Sequence, residues 1–220
     1  MSIRKEKCKM VEKISCYILD NILYKNEEIT GDEREIQLFG ITRIVEDTPK
    51  YLFIFLVGLL LGILDKLAVV LLISICYKAI VGGAHARTNI RCFIYTNIYF
   101  FLPILFANYI VLDKTLFDSL VIINYVLSLF IIYKYAPGDT EEVPILKLKK
   151  RKMIKYIGYA SISILTLVMI FFPNIVIAEI MFISIIECNL FLTNTAYKLL
   201  KCKHSYESEE FKQYFNSYKE

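Results

Sequence analysis

Two side chains that can perform nucleophilic chemistry lie seven residues apart in the segment 81–92. His85 is one of only two histidines in the chain, and Cys92 follows it. A neutral thiol, with a pKa of about 8.5, is a poor nucleophile, and a histidine is the natural base to remove its proton. The pair predicts an acyl transfer with Cys92 as nucleophile and His85 as base. Either residue alone would more simply be a small apolar residue or an interface anchor.

The two side chains can meet only if the backbone bends between them. On a continuous helix they would be separated by about 10 Å along the axis. Gly82 and Gly83 favour a loop, because glycine adopts backbone conformations that other residues resist. Cys92 is predicted to open a membrane-spanning helix, whose unpaired first N–H groups would stabilise a thiolate and an oxyanion. A non-helical segment at membrane depth must line protein or water, so we expect a water-accessible crevice.

Other charged residues are candidates for supporting roles. Lys78 lies in an apolar stretch and more simply extends to the interface, but it could contact a substrate carboxylate or pair with a glutamate. Glu179 and Glu187 share a helix face, so they form either a polar seam or a third catalytic member that orients His85.

A basic rim is expected around the crevice. Arg87, Arg91 and the run 147–152 would attract an acidic peptide, and this attraction should weaken with salt. We expect no metal or other cofactor, because His85 has no second histidine or carboxylate at ligand spacing. The six cysteines contain no CxxC pair, so we expect no disulfides.

The chain that carries these residues is strongly apolar. Of its 220 residues, 56% are hydrophobic, against about 45–50% in a soluble domain. Charges cluster at residues 1–50, 134–155 and 198–220, between long apolar runs. This pattern predicts an all-α polytopic membrane protein with about six transmembrane helices. Anionic lipid headgroups explain the net charge of +4 better than nucleic acid does. We expect no signal peptide, because the first apolar stretch follows residue 50.

The chain is predicted to have three parts. Residues 1–50 form cytoplasmic or interfacial amphipathic helices, at 3–24 and 32–46, and Pro49 marks where the membrane begins. Residues 51–197 form the transmembrane domain, with a cytoplasmic loop at 134–155, and residues 198–220 are a cytoplasmic tail. The spans are predicted at residues 51–64, 67–77, 92–112, 115–133, 156–172 and 175–197.

The positive charges orient these spans. If both termini are cytoplasmic, 24 of the 26 lysines and arginines lie on the cytoplasmic side, as the positive-inside rule requires. The first two runs are short against about 20 residues, so their hairpin could instead be re-entrant, which leaves four or five spans.

Two motifs give the chain a family resemblance. Residues 82–92 read Gly-Gly-Ala-His-Ala-Arg-Thr-Asn-Ile-Arg-Cys, and residues 135–145 read Tyr-Ala-Pro-Gly-Asp-Thr-Glu-Glu-Val-Pro-Ile. With the order of spans, they resemble the accessory gene regulator protein B family, membrane peptidases of Gram-positive quorum-sensing systems. The second motif by itself predicts a turn built by Pro137, Gly138 and Pro144, with substrate positioning as a weaker alternative.

The resemblance implies a substrate and a place in the bacterial cell membrane. Cys92, with His85 as base, would cut a short membrane-held propeptide before its acidic tail and form an acyl-enzyme thioester. A Cys or Ser of the peptide would then release an autoinducing thiolactone or lactone. The family often has Arg at the position of Lys78, so a bidentate carboxylate contact is not implied here.

A second hypothesis is a non-catalytic membrane scaffold or small peptide transporter. Lys78, Glu179 and Glu187 would then line a polar path, although no inverted repeat is visible. For either function we expect a homodimer, because Gly58 and Gly62 have the small-xxx-small spacing of close helix packing.

Overall fold

The protein is all-α in the residues that the computed structural model describes, which are 2–23, 31–86, 88–110, 112–141, 144–207 and 211–212. This confirms the predicted fold class. The chain divides into two compact units, Met1–Leu61 and Gly62–Glu220. The α-helices are α1 (Ser2–Ile18), α2 (Asp32–Leu61), α3 (Leu64–Ile73), α4 (Ala79–Val81), α5 (Asn89–Tyr109), α6 (Lys114–Tyr135), α7 (Leu148–Phe171), α8 (Ile175–Leu192) and α9 (Asn194–Leu200). Leu19–Leu23 and Ser74–Lys78 are π-helical, and Ser205–Glu207 is a 3₁₀ turn.

The first unit is built from α1 and α2. An exposed apolar stripe follows α1 at Met10, Ile14 and Tyr17, the spacing of one helix face. Arg34 of α2 forms an ion pair with Asp20 at 2.8 Å, just after α1. The segment predicted as an amphipathic helix is thus helical, and its amphipathic, interfacial role stays a prediction.

The second helix corrects one predicted boundary. The sequence predicts a short helix at 32–46 with Pro49 marking where the membrane begins, but α2 continues from Asp32 to Leu61. Proline removes one backbone donor from a helix interior, yet many other hydrogen bonds remain along these 30 residues. The predicted boundary at residue 50 therefore lies inside a helix.

At the centre of the second unit lies α8, packed against α3, α5, α6 and α7. Its sequence is apolar on every side, which is typical of a helix surrounded by others. Eleven of its 18 residues are buried. Residues on α8 are therefore placed to reach the loops at both ends of the neighbouring helices.

Four helices in the described ranges are long and apolar enough to cross a membrane, namely α5, α6, α7 and α8. They match the last four predicted spans, so the chain has the features of a membrane protein. The count of six is not confirmed. The first two predicted spans fall on the apolar end of α2 and on the helical path 64–81, which at 1.5 Å per residue measures about 27 Å against about 30 Å of hydrocarbon.

A chain of buried hydrogen bonds fixes the rotation of the path 64–81. The Tyr77 hydroxyl donates to Asn189 Oδ1 of α8 at 2.7 Å, and Asn189 Nδ2 donates to Ser128 Oγ of α6 at 2.7 Å. Unpaired polar groups are costly in an apolar interior, so these contacts favour one arrangement. They set the direction of Lys78, the next residue.

Candidate active site

The segment between α4 and α5 carries His85 and is not helical at residues 82–86 or at residue 88. The backbone has φ of +80° at Gly82 and +147° at Gly83. Gly82 also has ψ of −155°, a combination essentially restricted to glycine. A Cβ there would lie 2.5 Å from the carbonyl oxygen of Gly138. A rigid helix therefore does not separate His85 from Cys92.

Residues 135–145 hold this loop in place. Gly83 N–H donates to the Gly138 carbonyl at 2.8 Å, and Gly138 N–H donates to the Val81 carbonyl at 2.8 Å. A Cβ on Gly138 would meet Gly83 N at 2.6 Å. The sequence predicts a turn here, and the structure adds that the turn pairs with the first motif. In the sequence, the glycines of the two motifs were the signal that could have indicated this pairing.

A buried ion pair stabilises the same segment. The Asp139 carboxylate accepts from Ile145 N–H at 2.9 Å and from Arg151 Nη1 at 2.7 Å. Arg151 also donates to the Ile145 carbonyl at 3.2 Å. These contacts tie residues 139–145 to the first turn of α7. Arg151 belongs to the predicted basic rim, but here it is engaged by Asp139.

The His85 side chain is exposed, whereas Ala84 is buried and Ala86 is partly buried. Successive side chains of an extended segment point to opposite sides. Ala84 N–H donates to the Phe191 carbonyl at the end of α8, at 2.8 Å. The loop therefore turns its alanines toward the protein and its imidazole outward.

Cys92 lies in the first turn of α5 and is half-buried. The Thr88 hydroxyl accepts from Arg91 N–H at 3.4 Å, and the Thr88 carbonyl accepts the Cys92 N–H at 2.9 Å. The Cys92 amide is thus already engaged and cannot also bind an oxyanion. The sulfur lies 4.0 Å from Thr96 Oγ1. Cys92 therefore lies at the N-terminal end of α5, four residues after its N-cap Thr88.

Lys78 points into the protein, which differs from the interface anchor that the sequence favours. Its Nζ lies 4.1 Å from the ring centroid of Tyr99 and 4.3 Å from that of Phe191. Both rings attract the ammonium through their electron-rich faces. Tyr99 is fixed in turn by the Ser74 hydroxyl, which donates to its oxygen at 2.9 Å.

The charge of Lys78 acts on both α8 and α5. It interacts with Cys188 and Glu187, and to a smaller extent with Cys92. Glu187 is only 7% exposed, and its Oε2 has no hydrogen-bond partner among the described residues. Lys78 and Glu187 thus lie close enough to interact within the protein interior.

Glu179 lies away from this group. Its Oε1 accepts the Leu112 N–H at 2.7 Å, in the connection between α5 and α6. Eight residues of helix put it about 12 Å from Glu187 along the axis. The seam predicted from these two glutamates is therefore divided, and only Glu187 lies near Lys78.

The remaining rim residues are less closely grouped. Arg87 lies outside the described residues. Arg91 is half-buried in the first turn of α5, one position before Cys92. At the start of α7, Lys149, Lys150 and Lys152 are exposed, so they can contribute to the potential of the surface without a fixed contact.

The comparison with protein families agrees with both motifs. Residues 13–193 match the profile of the Accessory gene regulator B (AgrB) family. The chain belongs to the AgrB family. It is therefore related to proteins of quorum-sensing peptide processing.

Two clostridial relatives, each named “Putative AgrB-like protein”, are similar over much of their length. The chain is 23% identical over 207 residues to one from Clostridium acetobutylicum, covering 93% of this chain and 97% of the relative. It is 27% identical over 165 residues to one from Clostridium perfringens, covering 72% and 73%. No solved structure matches the chain. The AgrB match ends at residue 193, so α9 lies beyond it.

Proposed function

We propose that this AgrB-family member is a membrane-embedded cysteine endopeptidase that removes the C-terminal tail of a short propeptide and allows its cyclisation. The observation that supports this most is the glycine-bounded loop between α4 and α5. It keeps His85 outside any helix, and Cys92 lies in the first turn of the next helix, α5. A nucleophile and a base need this freedom to approach each other.

The proposed reaction begins with proton transfer. His85 takes the proton of Cys92, and the thiolate attacks the carbonyl carbon of the scissile peptide bond. The tetrahedral intermediate collapses, the C–N bond breaks, and the imidazolium gives its proton to the leaving amine. The peptide is then held on Cys92 as a thioester.

The second half of the reaction closes the ring. A thiol or hydroxyl of the acylated peptide gives its proton to His85 and attacks the thioester carbonyl. The bond to the Cys92 sulfur breaks, and the released thiolate recovers the proton from the imidazolium. The product is a thiolactone or lactone, and the enzyme returns to its starting state without a cofactor.

Lys78 and Glu187 support this reaction from the interior side. In this proposal Lys78 and Glu187 form the polar group inside the protein that faces the helix carrying Cys92. The rings of Tyr99 and Phe191 hold the ammonium of Lys78 between the middle of α5 and the end of α8. The exposed lysines of α7, together with Arg91, attract the acidic tail of the substrate.

The proposed partner is a short propeptide at the cytoplasmic side of the bacterial cell membrane, with both termini of the enzyme also cytoplasmic. This orientation follows from the distribution of lysine and arginine. A homodimer stays a proposal that the spacing of Gly58 and Gly62 does not support, because Gly62 lies beyond the end of α2 with φ of +65°, so the two glycines do not share a helix face.

The test compares Cys92→Ala with Cys76→Ala in membrane vesicles that contain the peptide encoded by the short reading frame beside this gene. Cys76 is an exposed thiol on the π-helical turn, so its loss controls for general effects of removing a cysteine. We expect Cys92→Ala to abolish processing and Cys76→Ala to retain it. Mass spectrometry of the wild type should detect a peptide thioester on Cys92. Processing by a folded Cys92→Ala variant would instead favour the scaffold or transporter.

A further inference from the structure

Residues 194–207 lie beyond the AgrB match, yet they pack against the loop that carries His85. The buried residues Ala84, Tyr197 and Leu200 form one apolar cluster. Ala86 and Phe191 pack against the same cluster. Ala84 and Ala86, which flank His85, thus pack in the cluster that contains Tyr197 and Leu200 of α9. Their burial sets the direction in which the His85 side chain points away from the loop.

Tyr197 contacts both the His85 loop and the segment that pairs with this loop. It is 2% exposed and lies against Ala84. Its hydroxyl donates to the Asp139 carbonyl at 3.1 Å. Asp139 follows Gly138, which pairs with Gly83 on the other side of the loop. One side chain therefore joins α9 to both motifs.

The segment after α9 holds Tyr197 in this orientation. The His204 ring stacks on the Tyr197 ring with centroids 3.6 Å apart and an interplanar angle of 16°. His204 Nε2 lies 3.0 Å from Asn194 Oδ1. The backbone pairs as well, because His204 bridges to Thr140 and Glu141 N–H donates to the carbonyl of residue 203 at 3.2 Å. We call residues 193–207 the C-terminal strut.

We propose that Tyr197 is a positioning residue for His85, and that the C-terminal strut holds the His85 loop in register with the start of α5. Tyr197 does not touch the substrate in this proposal. It fixes the backbone on which the base is mounted, and a displacement of about 1 Å at a reacting group can cost about a hundredfold in rate. The catalytic consequence rests on the proposed function, whereas the structural one does not.

Two variants separate the contacts of Tyr197. Tyr197→Phe keeps the ring stack and removes the hydrogen bond to Asp139, and Tyr197→Leu removes both. Tyr109→Leu is the matched control, because Tyr109 is 84% exposed at the far end of α5. Each full-length protein is examined for amide exchange at Gly83 and Ala84 and for kcat and KM with the co-expressed propeptide.

We expect Tyr197→Leu to speed exchange at both amides several-fold and to lower kcat by about tenfold to a hundredfold, with KM little changed. Tyr197→Phe should change both quantities in the same direction by less, and Tyr109→Leu should match the wild type. Protection of Cys188, whose thiol is fully buried, reports whether each variant is folded. If Tyr197→Leu loses the protection of Cys188, the variant is unfolded, and the results for Tyr197→Phe then test the proposal.

Unchanged exchange at Gly83 and Ala84 in a folded variant overturns the proposal, and so does an unchanged kcat. Failure of the proposed function has a different signature, which is continued processing by Cys92→Ala. In that event amide exchange alone decides whether Tyr197 holds the loop.

Discussion

Neither Gly82 nor Gly138 has room for a side chain, because a Cβ on Gly82 would meet the Gly138 carbonyl oxygen and a Cβ on Gly138 would meet Gly83. The contact fixes where the path 64–81 ends and where the His85 loop begins. At the same scale, Lys78 is drawn inward by two aromatic rings and a buried carboxylate, although a lysine in an apolar stretch usually extends to water. Individual contacts of this kind decide which charges face Cys92.

Gly82→Ala should therefore disable the site. The backbone conformation alone costs on the order of 1–3 kcal/mol for a non-glycine residue, and the new Cβ would also overlap the Gly138 carbonyl. We expect a lower temperature of unfolding in detergent and loss of propeptide processing.

Gly62→Ala is the matched control for this substitution. Gly62 has φ of +65°, but a Cβ there would meet nothing within 4 Å. Gly62→Ala therefore introduces backbone strain without steric overlap, so we expect propeptide processing to be retained. An equal loss in both variants would show that the approach of Gly82 to Gly138 is not what matters.

At the scale of elements, the His85 loop is supported from three directions. The end of α8 accepts Ala84 N–H, residues 136–141 pair with Gly83, and α9 lies beneath the flanking alanines. The C-terminal strut connects the last two supports through Tyr197 and His204. A change in the docking of the strut should therefore reach the loop.

Acid should loosen the strut. Burial lowers the pKa of His204 from its usual 6.5, while Glu207 and Asp139 oppose that shift, and the rings of Tyr197 and Tyr206 cover the imidazole. An undocked His204 binds a proton more readily than a docked one. Docking is therefore strongest above about pH 6.5 and weakens as the pH falls through the lowered pKa.

Amide exchange at Glu141, whose N–H donates to the carbonyl of residue 203, measures this opening once the intrinsic pH dependence of exchange is subtracted. His204→Gln keeps a polar side chain and removes the titration, so its corrected exchange should be flat between pH 5 and pH 7. The same acid response in His204→Gln would assign the effect to another group.

For the whole molecule, the question is how the apolar helices meet the bilayer. Helices α5 to α8 have the length to cross it, and the path 64–81 is slightly shorter than the hydrocarbon thickness. Lysine and arginine are concentrated in the segments expected to be cytoplasmic. A six-span arrangement therefore requires the connection between α2 and α3 to reach the outer surface.

Labelling of Ile63→Cys tests this arrangement. Residue 63 lies between α2 and α3, so a membrane-impermeant maleimide added to intact cells should modify it if six spans are present. Pro173→Cys, in the exposed turn between α7 and α8, is the positive control, and native Cys202 is the internal negative control. Mass spectrometry identifies the modified peptides. Labelling at 173 without labelling at 63 would mean that the first hairpin is re-entrant.

The sequence by itself determined the membrane class, the four long apolar helices and the break at Gly82 and Gly83. Hydropathy over about 20 residues and the conformational freedom of glycine are local properties, so a local pattern can reveal them. The family resemblance was also carried by two short motifs. The sequence ended the second helix at about residue 46, whereas α2 runs to Leu61, because one proline does not outweigh the other hydrogen bonds of α2.

Only the tertiary structure decided how these parts support one another. Two contacts join positions that are distant along the chain, namely Gly83 with Gly138 and Ala84 with Tyr197. A third, the ion pair between Asp139 and Arg151, spans 12 residues. No helical or alternating period encodes such contacts. They arise because α8 is buried among its neighbours, which brings the C-terminal end of α8, α9 and both motifs close together. Backbone donors in this region must then find hydrogen-bond partners.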